Sequence, residues 1–474
     1  MLGLFGTLNL AARSLQTQMT GVEVSGQNLA NVNTTGYSRQ RVDIQTGPDV
    51  TTGIGPEGTG ANAVAIQQLV NSLLNNQIQG QQSVNGYWNA QQSALLIAQT
   101  NLNEFLNGTG SSSSTSSSAD STTSSGLSSQ LSGLFNAFQS LAASPTSMTA
   151  RQAVLNQAQN LASTFNQVDN QLNALGDSLN TSLTNDVSSA NQLLSDIASL
   201  NGQISSASFN GGTANDLMDA REQDLENLST LVNVQTSTGT GSSVNVSIGG
   251  QTLVSSNQVL DTLQTYDAGS GQLLVQTATG GVPLTLSGGS IQGTIDARDG
   301  TLKTLQLNVT SLAYNLIVQV NTIHGGGYSL TGSSGASFFN GTGPGDITVN
   351  QSLVDDPALL QASGSATATG DNSVALALAQ LASVTQAGLG NQTFSDGYTQ
   401  TVARLGNALQ TADNQVGNQS IVTNMLQTQR DSVSGVNVDE EMTNLMGFQR
   451  AYEASAQLVT TVDQMLQTVI GMKR

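Results

Sequence analysis

Apolar positions at both tips of the chain recur with the spacing of a helix seam. Phe5, Ala12, Met19 and Gly26 stand seven residues apart, and Leu8, Leu15, Val22 and Leu29 repeat the interval three residues later. Those are the a and d positions of a heptad, which place one stripe along one helix face. The far end mirrors this more strongly. Leu445, Tyr452, Val459 and Leu466 form one line, and Phe448, Ser455, Val462 and Val469 form the next. Asn437 with Glu440 reads as a capping box, Glu440 and Glu441 suit the start of a helix, and Lys473 and Arg474 suit its end. As a helix, residues 438–470 would span about 50 Å. Neither stripe makes a core alone, so the two are expected to pack on each other, gaining order on assembly.

Between the tips the period changes several times. Residues 61–105 read as helix, and residues 107–126 are almost all Ser, Thr and Gly, a loop. Leu161, Phe165, Val168, Leu172, Leu175, Leu179, Leu183, Val187, Leu194, Ile197, Leu200 and Ile204 then fall at helical spacing. A run of that length belongs to a rod or a bundle. After Val234 the period drops to two: Val244, Val246 and Ile248 alternate with polar residues before a Gly249–Gly250 turn. Leu302 to Ile323 restores a helix that Gly325 to Gly327 stops, and from Asn372 the chain reads mainly as helix.

The predicted fold is mainly α with a β insertion: an elongated helical rod, terminal coiled-coil helices and an antiparallel β domain. Residues 1–50 and 435–474 would form an inner coiled-coil layer. Residues 51–234, 296–325 and 371–434 would form the rod domain, and 235–295 with 326–370 an outward-projecting β domain.

Composition narrows the functions open to such a rod. The 474 residues include 12 Lys and Arg against 31 Asp and Glu, for a net charge of −19. Ser, Thr, Asn and Gln make up roughly two-fifths of the chain, so amides and hydroxyls wet its surface where charges usually do. So few cations argue against nucleic acid and against insertion into, or binding on, a membrane. There is no Cys and one His, which removes thiol catalysis, disulfides and the common zinc sites. The first nine residues hold no Lys or Arg, and no apolar run approaches the ~18 residues of a membrane span.

Candidate chemistry is sparse. His324 could serve as a general base but reads better as a polar residue at a helix end. Asp355 with Asp356, and Asp216 with Asp219 beside Arg221, could be drawn as carboxylate pairs, yet such residues mostly lie at helix starts and turns. Gly341 to Gly345 lacks the Lys-Ser/Thr of a phosphate loop and reads as a turn. No enzyme, cofactor or metal is expected.

The stretch SGQNLANVNTTGYSRQ at Ser25 to Gln40 resembles the signature of the axial proteins of the bacterial flagellum, which comprise rod, hook and hook-associated proteins. DEEMTNLMGFQRAYEASAQLVTTVDQMLQTVIGM at Asp439 to Met472 resembles the matching C-terminal signature. NDLMDAREQDLENLSTLVNV, ending at Val234, and NTIHGGGYSLTG at Asn321 to Gly332 narrow the likeness to the hook-associated branch at the hook–filament junction. The likeness singles out a signature turn at Asn33, Gly36, Tyr37, Arg39 and Gln40. Thr35 departs from the Pro usual before that Gly. It also implies export without a cleaved signal peptide, a cytoplasmic chaperone on the C-terminal helix, and self-assembly into a ring beside the hook protein and a neighbouring hook-associated protein. The expected assembly seam is Leu8, Leu15, Val22 and Leu29 against Leu445, Phe448, Tyr452, Val459, Val462 and Leu466. Alternatives are another axial protein of hook or rod type, a secreted adhesin using the β domain, or a wall-degrading enzyme on an axial scaffold.

Overall fold

The computed structural model describes residues 3–52, 55–102, 126–209, 212–269 and 271–472. The Ser-rich stretch at 107–125, like Lys473 and Arg474, lies outside them.

Helix α1 (Leu4–Ala30) leads into a turn and four short strands, β1 (Gln40–Thr46), β2 (Val50–Thr52), β3 (Gly55–Glu57) and β4 (Ala61–Gln68). Strands β1 and β4 pair antiparallel around a bulge at Asp43/Ile44. The helical reading of residues 61–105 is therefore corrected at its start, and the helical reading of 1–50 at its end. Ala61 to Gln68 carries little strand propensity of its own, and pairing with β1 decides its conformation.

Helices α2 (Ser72–Leu102), α3 (Leu127–Ala143), α4 (Met148–Phe209) and α5 (Asn215–Leu231) follow. Helix α4 has 62 residues, about 93 Å at 1.5 Å per residue. The periodic apolar residues from Leu161 to Ile204 lie on its buried face, with Leu200 only half-buried.

Strands β5 (Val234–Thr238), β6 (Val244–Ile248), β7 (Gln251–Ser255) and β8 (Gln258–Val259) form an antiparallel meander, and β9 (Leu263–Asp267) pairs with β10 (Leu273–Thr277). The β6–β7 turn is the one expected: Gly249 and Gly250 take φ of 56° and 81°, which Cβ-bearing residues resist. Helix α6 (Gly289–Asp296) runs through a π-helical turn at Ala297–Leu302 into α7 (Lys303–Gly325). Beyond it come β11 (Phe339–Asn340), β12 (Thr348–Val349), α8 (Gln351–Asp355), α9 (Ser373–Gln380), α10 (Phe394–Ser434) and α11 (Val438–Gly471).

Two main apolar cores form. One joins α3, the first half of α4, α7, α9 and the start of α10, and it includes Phe339 of β11 and Val349 of β12. The other joins the second half of α4 with α5, α6 and strands β6, β7, β9 and β10. Residues 235–295 and 326–370 therefore do not share one β core. The second segment is largely irregular, and its Phe338, Phe339 and Ile347 fill the helical core.

Candidate assembly interface

Helices α1 and α11 lie antiparallel, and their register shows in three contacts seven residues apart. Ser14 Oγ and Ser455 Oγ are 2.8 Å apart. A Cβ on Gly21 would fall 2.5 Å from the ring of Phe448, so only glycine lets that ring sit against the α1 backbone. Asn28 Nδ2 donates to Glu441 Oε2 at 3.0 Å. The α1 line is thus small and polar, and Ala11, Thr17, Val24 and Ser25 beside it are buried.

The predicted α11 seam contributes the other half. Val462 is buried, Leu445, Phe448, Val459 and Leu466 are half-buried, and Tyr452 is exposed. The predicted α1 seam is rotated away from the contact. Leu8, Leu15, Val22 and Leu29 are half-buried, whereas Ala12 is exposed and Phe5 and Met19 are 72% and 54% exposed. Hydrophobic period alone does not mark the α1 line that meets α11, because that line has so few apolar side chains. Pairing is also complete within one chain, where the sequence placed it on assembly.

The same register sets Leu4 beside Met465, so the last turns of α11 run on past α1. Val469 and Ile470 are exposed there, and Met465 is exposed at the level of Leu4.

The signature turn ties this pair to the body. Gly36 has φ of 80°. Tyr37 Oη donates to Asn28 Oδ1 at 2.9 Å, and that oxygen also accepts from the Gln40 N–H at 3.0 Å. Arg39 Nε donates to the buried Glu441 at 2.7 Å, while its two terminal nitrogens reach Glu440 at 3.1 and 2.7 Å. The Arg39 N–H donates to Ser434 O at 2.8 Å, fastening the link between α10 and α11. Gln40 Nε2 donates to Asp216 Oδ1 at 2.9 Å, and Gln40 Oε1 accepts from Asn215 at 3.1 Å. The Ser38 N–H donates to Asp219 Oδ2 at 3.0 Å. Asn33 is exposed and holds no partner in this network.

Below the turn lies a cavity of about 790 Å³ between the turn, α5 and the end of α10. Its acids are uncomfortable as anions. Burial pushes Asp219 up to about 6 against the pull of the Ser38 N–H, and burial also raises Glu222 and Glu226. Gln79 donates to Glu222 at 2.8 Å, and Arg430 pairs with Glu226. Burial, then the charges of Asp216, Asp219 and Glu441, push the Tyr37 phenol up to about 12. The arrangement is a polar lock between the terminal helices and the body.

The sequence compares as follows. Residues 114–339 match the model of the flagellar hook-associated protein FlgK helical domain, and residues 427–472 match the flagellar basal body rod FlgEFG protein C-terminal model. Together the two span more than half of the chain. Flagellar hook-associated protein 1 of Bacillus subtilis is 28% identical, over 99% of this chain and 99% of its own. The Escherichia coli protein of the same name is 24% identical, over 98% and 99%. This chain is similar to the flagellar hook-associated proteins along nearly its whole length. The fold agrees with that of the flagellar hook junction protein FlgK from Burkholderia pseudomallei, at a TM-score of 0.62 and 18% identity over 76% of this chain and all of that one.

In this chain, the residues that could be read as candidate chemistry hold structure. His324 stands in the last turn of α7, as expected, and is fully buried there. Its Nδ1 lies 2.8 Å from Ala336 O, and its Nε2 accepts from the Gln361 N–H at 3.0 Å. Burial holds it neutral, with its pKa lowered to about 4. Asp355 accepts from Gln351, and Asp356 caps the turn at Ala358. Asp346 gathers the Thr342 and Gly343 N–H groups, making Gly341 to Gly345 a turn. Asp216 and Asp219 anchor the signature turn, while Arg221 points away to Asn201 and Ser242. Among the described residues no helix is long and apolar enough to cross a membrane.

Sequence reasoning missed Ser14, Gly21 and Asn28 as the α1 contact line, and Asn215 with Asp216 as the anchor of the turn. One signal was present: small or amide residues every seven positions from Ser14 through Gly21 to Asn28, running into the signature stretch.

Proposed function

We propose that this chain is the structural subunit that joins hook to filament, assembling as a ring in which neighbours cover the α1–α11 pair of each copy. The observation that carries this reading is the apolar surface left open on that pair: Phe5 and Met19 are exposed on α1, and Tyr452, Met465, Val469 and Ile470 on α11. Each such side chain gains about 1.5–3 kcal/mol on full burial, a gain repeated around a ring. The seam predicted at Leu8, Leu15, Val22 and Leu29 borders that surface, so its half-buried side chains belong to the same assembly surface. The names of the relatives fit, since hook-associated protein 1 and a hook junction protein are its counterparts.

The same surface would need shielding before export, and a chaperone on α11 supplies that. Export without a cleaved signal peptide and a place between hook protein and a second hook-associated protein complete the role, which needs no catalysis.

The test is complementation of a strain lacking the protein with the double variant Met19→Asp, Tyr452→Asp. Both side chains are exposed, so the purified variant should keep its helical circular dichroism. The cells should show hooks without filaments and shed filament subunits into the medium. Filaments at wild-type frequency would overturn the reading. Long homopolymeric tubes from the purified wild type, in place of short collars, would favour a hook-type protein.

A further inference from the structure

The two cores share α4 without merging: one reaches Leu179 and the other begins at Leu183. At that level two neighbouring helices bury no residue fully. Helix α2 buries nothing between Gly86 and Ala94, and α10 nothing between Ala412 and Thr423. These two stretches meet each other, Gln92 Nε2 donating to Asp413 Oδ1 at 2.7 Å. The third passing helix changes its winding there, from α6 through the π-helical turn at Ala297–Leu302 into α7.

Beside the buried Ala297 and Leu302, the hydrogen-bonded contacts that cross this level are polar. Tyr87 Oη donates to Asp296 Oδ2 at 2.9 Å. Arg298 donates to Asn180 Oδ1 at 2.5 Å and grips Asp299 at 2.7 and 2.8 Å. Helices α2 and α6 touch through glycine, with no room for a Cβ on Gly293 beside Tyr87 O.

We propose that this polar belt is a bending joint, on which the body containing α3, α7 and α9 rocks against the body containing α5 and the β5–β10 strands. Interlocked apolar side chains resist relative motion because interiors pack as densely as crystals. Hydrogen-bonded tips exchange partners cheaply, and a smooth glycine contact permits shear between helices. The π-turn adds a residue of slack in the one helix whose backbone bonds depart from the α pattern there. The continuous α4 keeps the two bodies together while they rock. The inference stands on these contacts and does not require the flagellar role.

The chain has no cysteine, so two introduced cysteines take spin labels at known sites. Ser140→Cys with Gln251→Cys places one label on each body, and Ser140→Cys with Asn160→Cys keeps both on one; all three positions are exposed. Pulsed electron–electron resonance on the full chain should give a between-body distribution about twice as wide as the within-body control. Deleting Gly300, which removes the extra residue of the π-turn, should shift or narrow the first distribution and leave the second unchanged. Equal widths in the two wild-type pairs would overturn the joint, whether or not the deletion variant folds.

Discussion

Arg39 and Glu441 show how one contact carries more than its own energy. Glu441 is 2% exposed and takes hydrogen bonds from Arg39 and Asn28. Arg39→Ala leaves a buried carboxylate short of its cation, and denaturant titration should show a loss of about 3 kcal/mol. Adding Glu441→Gln should recover part of that loss, and no recovery would mean that the pair does not act as a unit. The buried titratable groups pull in opposite directions with pH. Asp219 has a folded pKa of about 6, above the ~3.9 of an unfolded chain. Its contribution is therefore complete below about pH 4 and fades as pH rises through 6. Asp219→Asn should stabilise the lock above pH 6 by about 1–2 kcal/mol, discounted for partial solvent access, and do little at pH 4. His324 works the other way. Its folded pKa of about 4 lies below the ~6.5 of the unfolded state, so its stability holds above 6.5 and drains as pH falls toward 4. Exchange protection at the Gln361 N–H, which His324 Nε2 accepts, should fall across that range; constant protection would contradict the assignment.

At the level of elements, legibility followed the source of each element's stability. The long run from Leu161 to Ile204 was readable because its own apolar period matches the face it buries. In the C-terminal helix Asn437 does cap α11, accepting from Asp439 N at 3.0 Å and Glu440 N at 3.3 Å, while of its apolar seam only Val462 is buried. Glu440 does not close the capping box, because Arg39 claims it. Strand β4 was illegible because Ala61 to Gln68 becomes a strand only through β1. The α1 contact line was illegible because Ser14, Gly21 and Asn28 present no apolar stripe, and the signature residues around Gln40 reach partners more than 170 positions away. Gly21 offers a direct check of the pair. Gly21→Ala drives a methyl group into the Phe448 ring and should weaken α1–α11 packing by about 1–3 kcal/mol. Proteolysis within α11 should quicken, and Phe448→Ala in the same chain should relieve the clash. A harmless Gly21→Ala would rule out the register.

On the scale of the molecule, the polar lock fixes the terminal pair to α5 and to the ends of α2 and α10, while the two cores divide farther along the body. The unequal ends of the pair matter most for how copies could be stacked. Among the described residues, α11 runs about six residues, about 9 Å of helix, past the level of Leu4, bearing the exposed Val469 and Ile470. A protruding apolar peg calls for a recess on whatever lies beyond it, which gives the pair a head and a tail, and a layer built from such units has direction before any neighbouring tube is attached.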